Sequence, residues 1–256
     1  MFAYLELEVD DKVALVKINH PPANTLSQAL LQELSDIFDE LHQNEEVKVV
    51  LLYGEGRYFA AGADIKEFSI INGNASFYDL SRKGQLLFDK IEAFSKPVIA
   101  AVHGAALGGG LELAMAAHIR VVATDAKLGL PELQLGLIPG FGGTHRLSSI
   151  VGKAKATELI LTSKPISGEE AVRLGLANTD YPEETLLEEA KELARLIATK
   201  SSLSVKRTLQ LLRHEQSREE SNKLESTYFH EVMRTQDATE GIQAFIEKRT
   251  PIFKDR

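Results

Sequence analysis

The sequence predicts an α/β fold: a core of alternating strands and helices over residues 1–195, then a helical C-terminal region over 196–256. Three observations carry the prediction. Compact apolar runs of strand length alternate with helical periods through about residue 125. From Pro131 onward the segments carry mostly helical periods. No Gly/Ser linker, low-complexity tract or internal repeat interrupts the chain.

In order, "YLELEV" and "KVALVKIN" alternate apolar and polar residues around Asp10-Asp11, which predicts a hairpin. "LSQALLQELSDIFDELHQN" has apolar residues three and four apart, with Ser27 placed to cap it: an amphipathic helix. "VKVVLLYG" predicts a buried strand and "ASFYDLSRKGQLLFDKIEAF" a helix. "PVIAAVHG" predicts a second buried strand, "GGGLELAMAAH" a helix, and "IRVVAT" a third strand. Beyond Pro131 the stretches 152–163, 167–176, 182–200, 202–214, 218–235 and 237–249 have helical periods. A short helical region that packs poorly on itself is expected to pack on another subunit.

The 256 residues are 44% hydrophobic and 26% charged, an ordinary globular composition. A net charge of −8 disfavours nucleic acid or an anionic membrane as the main partner. With no cysteine, disulfides, thiol nucleophiles and cysteine-based zinc sites are excluded. No basic n-region followed by an apolar h-region is visible at the N-terminus. The apolar window Pro97–Ala117 approaches membrane-span length, but His103, three adjacent glycines and Glu112 mark it as buried strand, turn and helix. The expected setting is the cytoplasm. The seven histidines show no metal-ligand spacing, and no G-x-S-x-G elbow is present.

Three stretches are candidates for chemistry. In "RYFAAGADIKEF" the small residues Ala60–Ala63 let a ligand approach the backbone, and Asp64 stands near the start of a short helix whose free N–H groups suit a carbonyl or an anion. As an isolated feature this is equally an ordinary turn. In "VHGAALGGGLELAMAAH" the glycines enter a helix and leave amides uncovered, but the spacing fits neither a dinucleotide nor a P-loop pattern. Glu112 there has apolar neighbours around the whole helical wheel. A helix-dipole carboxylate would sit on a polar face, whereas a buried one is costly unless paired or used. In "KLGLPELQLGLIPGFGGTHRL" Glu132 stands in an apolar run beside Pro131, a pattern that also marks an ordinary helix start.

Together "FAAGADIKEF", "PVIAAVHGAALGGGLELAMA" and "LPELQLGLIPGFGGTHRL" resemble the enoyl-CoA hydratase (crotonase) family, and residues 152–178 and 241–255 extend the resemblance over essentially the whole chain. The resemblance implies a spiral of ββα units with C-terminal helices that build trimers or hexamers. It implies an acyl-CoA thioester substrate, hydrated to a 3-hydroxyacyl-CoA as in β-oxidation, with coenzyme A as part of the substrate and no metal or redox cofactor. It aligns Ala63 and Gly109 with the two oxyanion-hole amides, Glu112 and Glu132 with the catalytic glutamates, and Gly140 with an amide that holds the water. Glu112 is assigned mainly to water activation and Glu132 to proton delivery at C2. Ala61, Ala63, Asp64, Ile65, Lys66, Gly109 and Lys248 fall at substrate and CoA contacts, Lys248 from a neighbouring helix or subunit. One departure is Leu130, where short-chain hydratases often carry glutamine; it bears on acyl-chain preference, as do Phe141 and residues 69–80. The alternatives are an enoyl-CoA isomerase or another acyl-CoA lyase of the family, and a non-catalytic RNA-binding relative, which the net charge and the glutamate pair disfavour.

Overall fold

The computed structural model describes residues 2–65, 67, 77–213 and 217–256. Strands β1 (Leu5–Asp10) and β2 (Val13–Ile18) form the expected antiparallel hairpin. Helix α1 (Gln28–Gln43) follows, with the Ser27 side chain accepting from the Leu30 N–H as its cap. It buries Leu30, Leu34, Ile37, Phe38 and Leu41, each worth about 1.5–3 kcal/mol on leaving water. Then come β3 (Val49–Gly54), α2 (Phe77–Glu92), β4 (Val98–Val102), β5 (Ala105–Leu107), α3 (Gly109–Ala116), β6 (Ile119–Ala123) and β7 (Lys127–Gly129). A 3₁₀ turn (Glu132–Leu135) leads to α4 (Gly143–Val151), α5 (Lys153–Thr162), α6 (Gly168–Arg173), β8 (Thr179–Tyr181) and α7 (Glu183–Ala198). Helices α8 (Ser202–Arg213), α9 (Arg218–Met233) and α10 (Gln236–Glu247) complete the chain.

The main sheet has six strands in the order β1-β2-β3-β4-β6-β8, parallel beyond β2. A second, two-stranded sheet pairs β5 with β7. β2, β3, β4 and β6 are each followed by a short segment that pairs in the second layer. Ala60, just after β3, bridges Ala106 of β5, which in turn pairs with Leu128 of β7. The strand order is thus repeated in both layers, which is the spiral of ββα units that the resemblance implies. α7 packs on β2, β3, β4, β6 and β8 and closes one face of the sheet.

The chain departs from the sequence-based reading in several places. β5, β7, β8 and α4 were not anticipated. The three strands are three residues each, too short to display a period, and α4 starts from Gly142 at φ 98° with no side-chain cap. Glu132 opens a 3₁₀ turn rather than a regular helix, with Pro131 in the capping position. In the Asp64 stretch, Ile65 and Glu67 are helical; Lys66 lies outside the described residues.

Candidate active site

The site forms where α3 begins. β5 ends at Leu107 and Gly108 turns the chain with φ 51°, so that α3 starts against the segment after β3. The approach is close enough that a Cβ on Gly110 would lie 2.1 Å from the Ala60 carbonyl oxygen. Gly109 comes to rest beside the Ala63 amide, its own Cβ position 3.3 Å from the Ala63 nitrogen. Both amides are open. Leu26 pairs with Ala63 by donating to the Gly62 carbonyl and accepting from the Asp64 N–H, so the Ala63 N–H points the other way. Gly109 is the first residue of α3, where no intrahelical acceptor exists. Among the described residues neither N–H has a hydrogen-bond partner. Two adjacent donors at a helix N-terminus make a site for a carbonyl oxygen that gains negative charge.

Glu112 lies one turn further along α3, 1% exposed. Its Oε1 accepts from the Phe141 N–H at 2.9 Å and the Gly143 N–H at 2.7 Å. Only glycine fits at 143, since a Cβ there would come within 2.8 Å of that same oxygen. Oε2 has no hydrogen bond among the described residues, and Glu112 lines the adjoining cavity. Burial pushes its carboxyl up to about 7, opposed chiefly by the two backbone donors and reinforced by the charge of Glu132. Glu132 enters from the 3₁₀ turn; its Oε1 lies 2.9 Å from where a Cβ on Gly108 would stand. Among the described residues its Oε2 is buried without a partner, and desolvation raises this carboxyl as well. An unpartnered buried carboxylate oxygen is costly and marks a place for a ligand or water.

These groups surround a cavity of about 710 Å³. Ala61, Ala63, Ile65, Gly109, Gly140, Glu112 and Glu132 all line it. The Gly140 carbonyl accepts from Ser81 Oγ and from Gln85 Nε2, the latter at 3.1 Å, while its N–H has no partner among the described residues. The rest of the wall is mostly apolar, with Phe77, Leu80, Leu135, Ile138 and Phe141 contributing. Two of the expected contacts lie apart from the others. Asp64 is not among the lining residues, and its N–H is used by Leu26. Lys248 caps the C-terminus of α10 in a left-handed conformation and is also absent from the lining. Leu130 is buried at 2% exposure, and a Cβ on Gly143 would meet its Cδ1 at 3.1 Å, so it packs behind Glu112. Arg146, unnoticed in the sequence, is buried behind the loop that carries Phe141 and Gly143. Its sequence neighbours Thr144, His145 and Ser148 are polar, so no local pattern marked it as buried. Among the described residues no cluster of three or more histidine, aspartate or glutamate side chains could hold a metal ion, and no helix is long and apolar enough to cross a membrane.

Comparison with known proteins agrees over the whole length. The family model described as enoyl-CoA hydratase/isomerase matches residues 8–256. A probable enoyl-CoA hydratase of Bacillus subtilis is 53% identical over 253 residues, covering 98% of each chain. A short-chain-enoyl-CoA hydratase of Clostridium acetobutylicum is 42% identical over 250 residues, covering 95% of this chain and 94% of that protein. The crystal structure of an enoyl-CoA hydratase from Bacillus anthracis superposes with a TM-score of 0.93 at 35% identity, covering 99% of this chain and all of the other. Paired amides, paired carboxyls and a two-layer strand spiral thus coincide with similarity along nearly every residue, and the chain belongs to the enoyl-CoA hydratase/isomerase family.

Proposed function

We propose that the protein is an enoyl-CoA hydratase, adding water across the 2,3 double bond of a trans-2-enoyl-CoA to give a 3-hydroxyacyl-CoA, in fatty-acid or related acyl-CoA degradation. The observation that carries the reading is the convergence of the Glu112 and Glu132 carboxyls with the open Ala63 and Gly109 amides on one cavity. The thioester oxygen sits between the two amides. As water adds at C3 the electron pair moves onto that oxygen, and each preorganised donor stabilises the enolate by about 2.7–4 kcal/mol. Glu112, ionised and held through Oε1, takes a proton from the water with Oε2. Glu132, whose carboxyl desolvation raises above the usual carboxylate range, supplies the proton at C2. The charge of Glu132 adds to burial in disfavouring the ionised form of Glu112. The Gly140 N–H is an additional donor to the water.

The same reading includes Ala61, Asp64 and Ile65 as contacts along the acyl-CoA, and Lys66 and Lys248 nearer the CoA phosphates. Lys248 then acts from a neighbouring subunit of a trimer or hexamer. What supports self-association is the exposure of Leu212, Phe229, Phe245 and Ile252 on and beside the last three helices, at 67–85%. A cytoplasmic location also belongs to it.

Purified protein is expected to consume the conjugated enoyl-thioester absorbance of crotonyl-CoA; no consumption over a C4 to C16 enoyl-CoA panel overturns the reading. Glu112→Gln and Glu132→Gln are each expected to lower kcat by about 10²–10⁴-fold while CoA-ester binding survives. Full turnover in either variant removes that residue from its role.

A further inference from the structure

Residues 140–146, a loop and the first turn of α4, hold Glu112, and one face of α2 holds that segment. Ser81, Gln85, Asp89 and Glu92 recur four, four and three residues apart, so they line a single stripe of the helix. At its upper end Ser81 Oγ and Gln85 Nε2 both donate to the Gly140 carbonyl. The N–H of that same peptide unit, on Phe141, donates to Glu112 Oε1. The peptide is therefore gripped on both sides, by α2 and by the glutamate. At the lower end Asp89 and Glu92 hold Arg146, at 2.6 Å from Nη2 to Asp89 and 3.0 Å from Nε to Glu92. Arg146 Nη1 donates in turn to the Phe141 carbonyl at 3.0 Å. Phe141 is further fixed by its ring, packed edge-on against Phe88 and filling the place a side chain at Gly84 would take.

We infer that this polar stripe of α2, acting through the Gly140–Phe141 peptide and Arg146, is the device that positions Glu112. Ser81, Gln85 and Arg146 are positioning residues for the reaction, and the inference rests on the hydratase reading. The donors that hold Glu112 are backbone N–H groups of a loop containing three glycines and a proline over 139–143, which has little stiffness of its own. The stripe supplies that stiffness. The charges facing Glu112 are Glu132 from the 3₁₀ turn and Arg146 from α4, with Asp89 and Glu92 of α2 behind Arg146. Arg146 and both backbone bonds favour the ionised form, against burial and Glu132. Slackening the stripe therefore moves Glu112 toward its protonated state. A loosened carboxylate also loses its alignment with the water, a geometric effect on turnover rather than on affinity.

The test compares Gln85→Met, Arg146→Met and Arg146→Lys with the wild type in crotonyl-CoA hydration across pH. In both methionine variants kcat is expected to fall on the order of 10–100-fold with KM unchanged. The acid-side limb of the Arg146→Met profile moves to higher pH, because the base must be ionised. Arg146→Lys restores the limb through its charge but only part of kcat, since an ammonium cannot reproduce the fork. Carboxyl NMR titration of Glu112 in the ligand-free protein gives the same comparison without turnover, so a failure of the hydratase reading is told apart from a failure of this one. Gln85 is only half-buried and its replacement tests the stripe even if Arg146 variants fold poorly. Folded variants with wild-type kcat and an unmoved Glu112 titration, or a loss confined to KM, overturn the inference.

Discussion

Helices α3 and α9 handle the same kinds of residue in opposite ways. α3 has eight residues and buries every one, including its single carboxylate. α9 has sixteen and buries none. In α9, Glu219 forms an exposed pair with Lys223, and Glu220 completes a capping box with Ser217. Such carboxylates remain solvated and stabilise a helix end by tenths of a kcal/mol to about 1 kcal/mol. Glu112 in α3 has only backbone donors and a cavity to face, so its proton is held to about pH 7. The apolar side chains are reversed as well. Leu111, Leu113 and Met115 vanish into the core, while Phe229 and Met233 of α9 stay 67% and 45% exposed. The contrast teaches that α3 is completed by this chain's own packing, while α9 leaves its apolar side chains uncovered.

The strongest way to break the contrast is to deny α3 its close approach. Gly110→Ala would set a methyl carbon 2.1 Å from the Ala60 carbonyl, backbone against backbone with nothing flexible to yield. A loss of about 3 kcal/mol or more is expected in denaturant unfolding. A variant of unchanged midpoint would mean that α3 is free to shift. Next in size is the cost of the buried charge. Glu112 has its carboxyl raised from 4.5 to about 7, so between these values the folded protein binds more protons than the unfolded chain. Stability therefore falls as pH rises through that window, and the full cost is present above it, on the order of 3 kcal/mol. Glu112→Gln is expected to be more stable than the wild type at about pH 8, with the gain disappearing below about pH 4.5, as followed by urea unfolding at each pH. A gain that does not change with pH would place the charge elsewhere. The smallest effect belongs to the C-terminal half. Phe245→Ser, at a side chain 85% exposed, is expected to change unfolding within about 0.5 kcal/mol at the level of one chain. On the proposed assembly, sedimentation velocity is expected to show weaker self-association. A wild-type assembly profile would remove this face from the interface.

The elements legible in the sequence are those with a full period or a chemical marker. The β1–β2 hairpin, α1 with its Ser27 cap, and the strands at 49–54, 98–102 and 119–123 all stand where the pattern put them. The second layer escaped because its strands span three residues, and they form by pairing with one another rather than by any local preference. In the site, Glu112 stood out because no polar residue shares its helical wheel. Glu132 did not, because a glutamate beside a proline is an ordinary helix start and its desolvation comes from the wall of the cavity. The amides of Ala63 and Gly109 carry no side-chain signal; the resemblance supplied their residue numbers.

By itself, then, the sequence determined the alternation of strand and helix, the family, and the suspicion attached to a lone carboxylate among apolar neighbours. These follow from local periodicity and from motif content, which a chain carries whether or not it is folded. Only the tertiary structure decided which amides are left open, that two backbone amides hold Oε1 of Glu112, and that α2 grips the loop holding it. Those depend on groups 29 to 59 residues apart meeting within hydrogen-bond distance, and no local pattern encodes such a meeting.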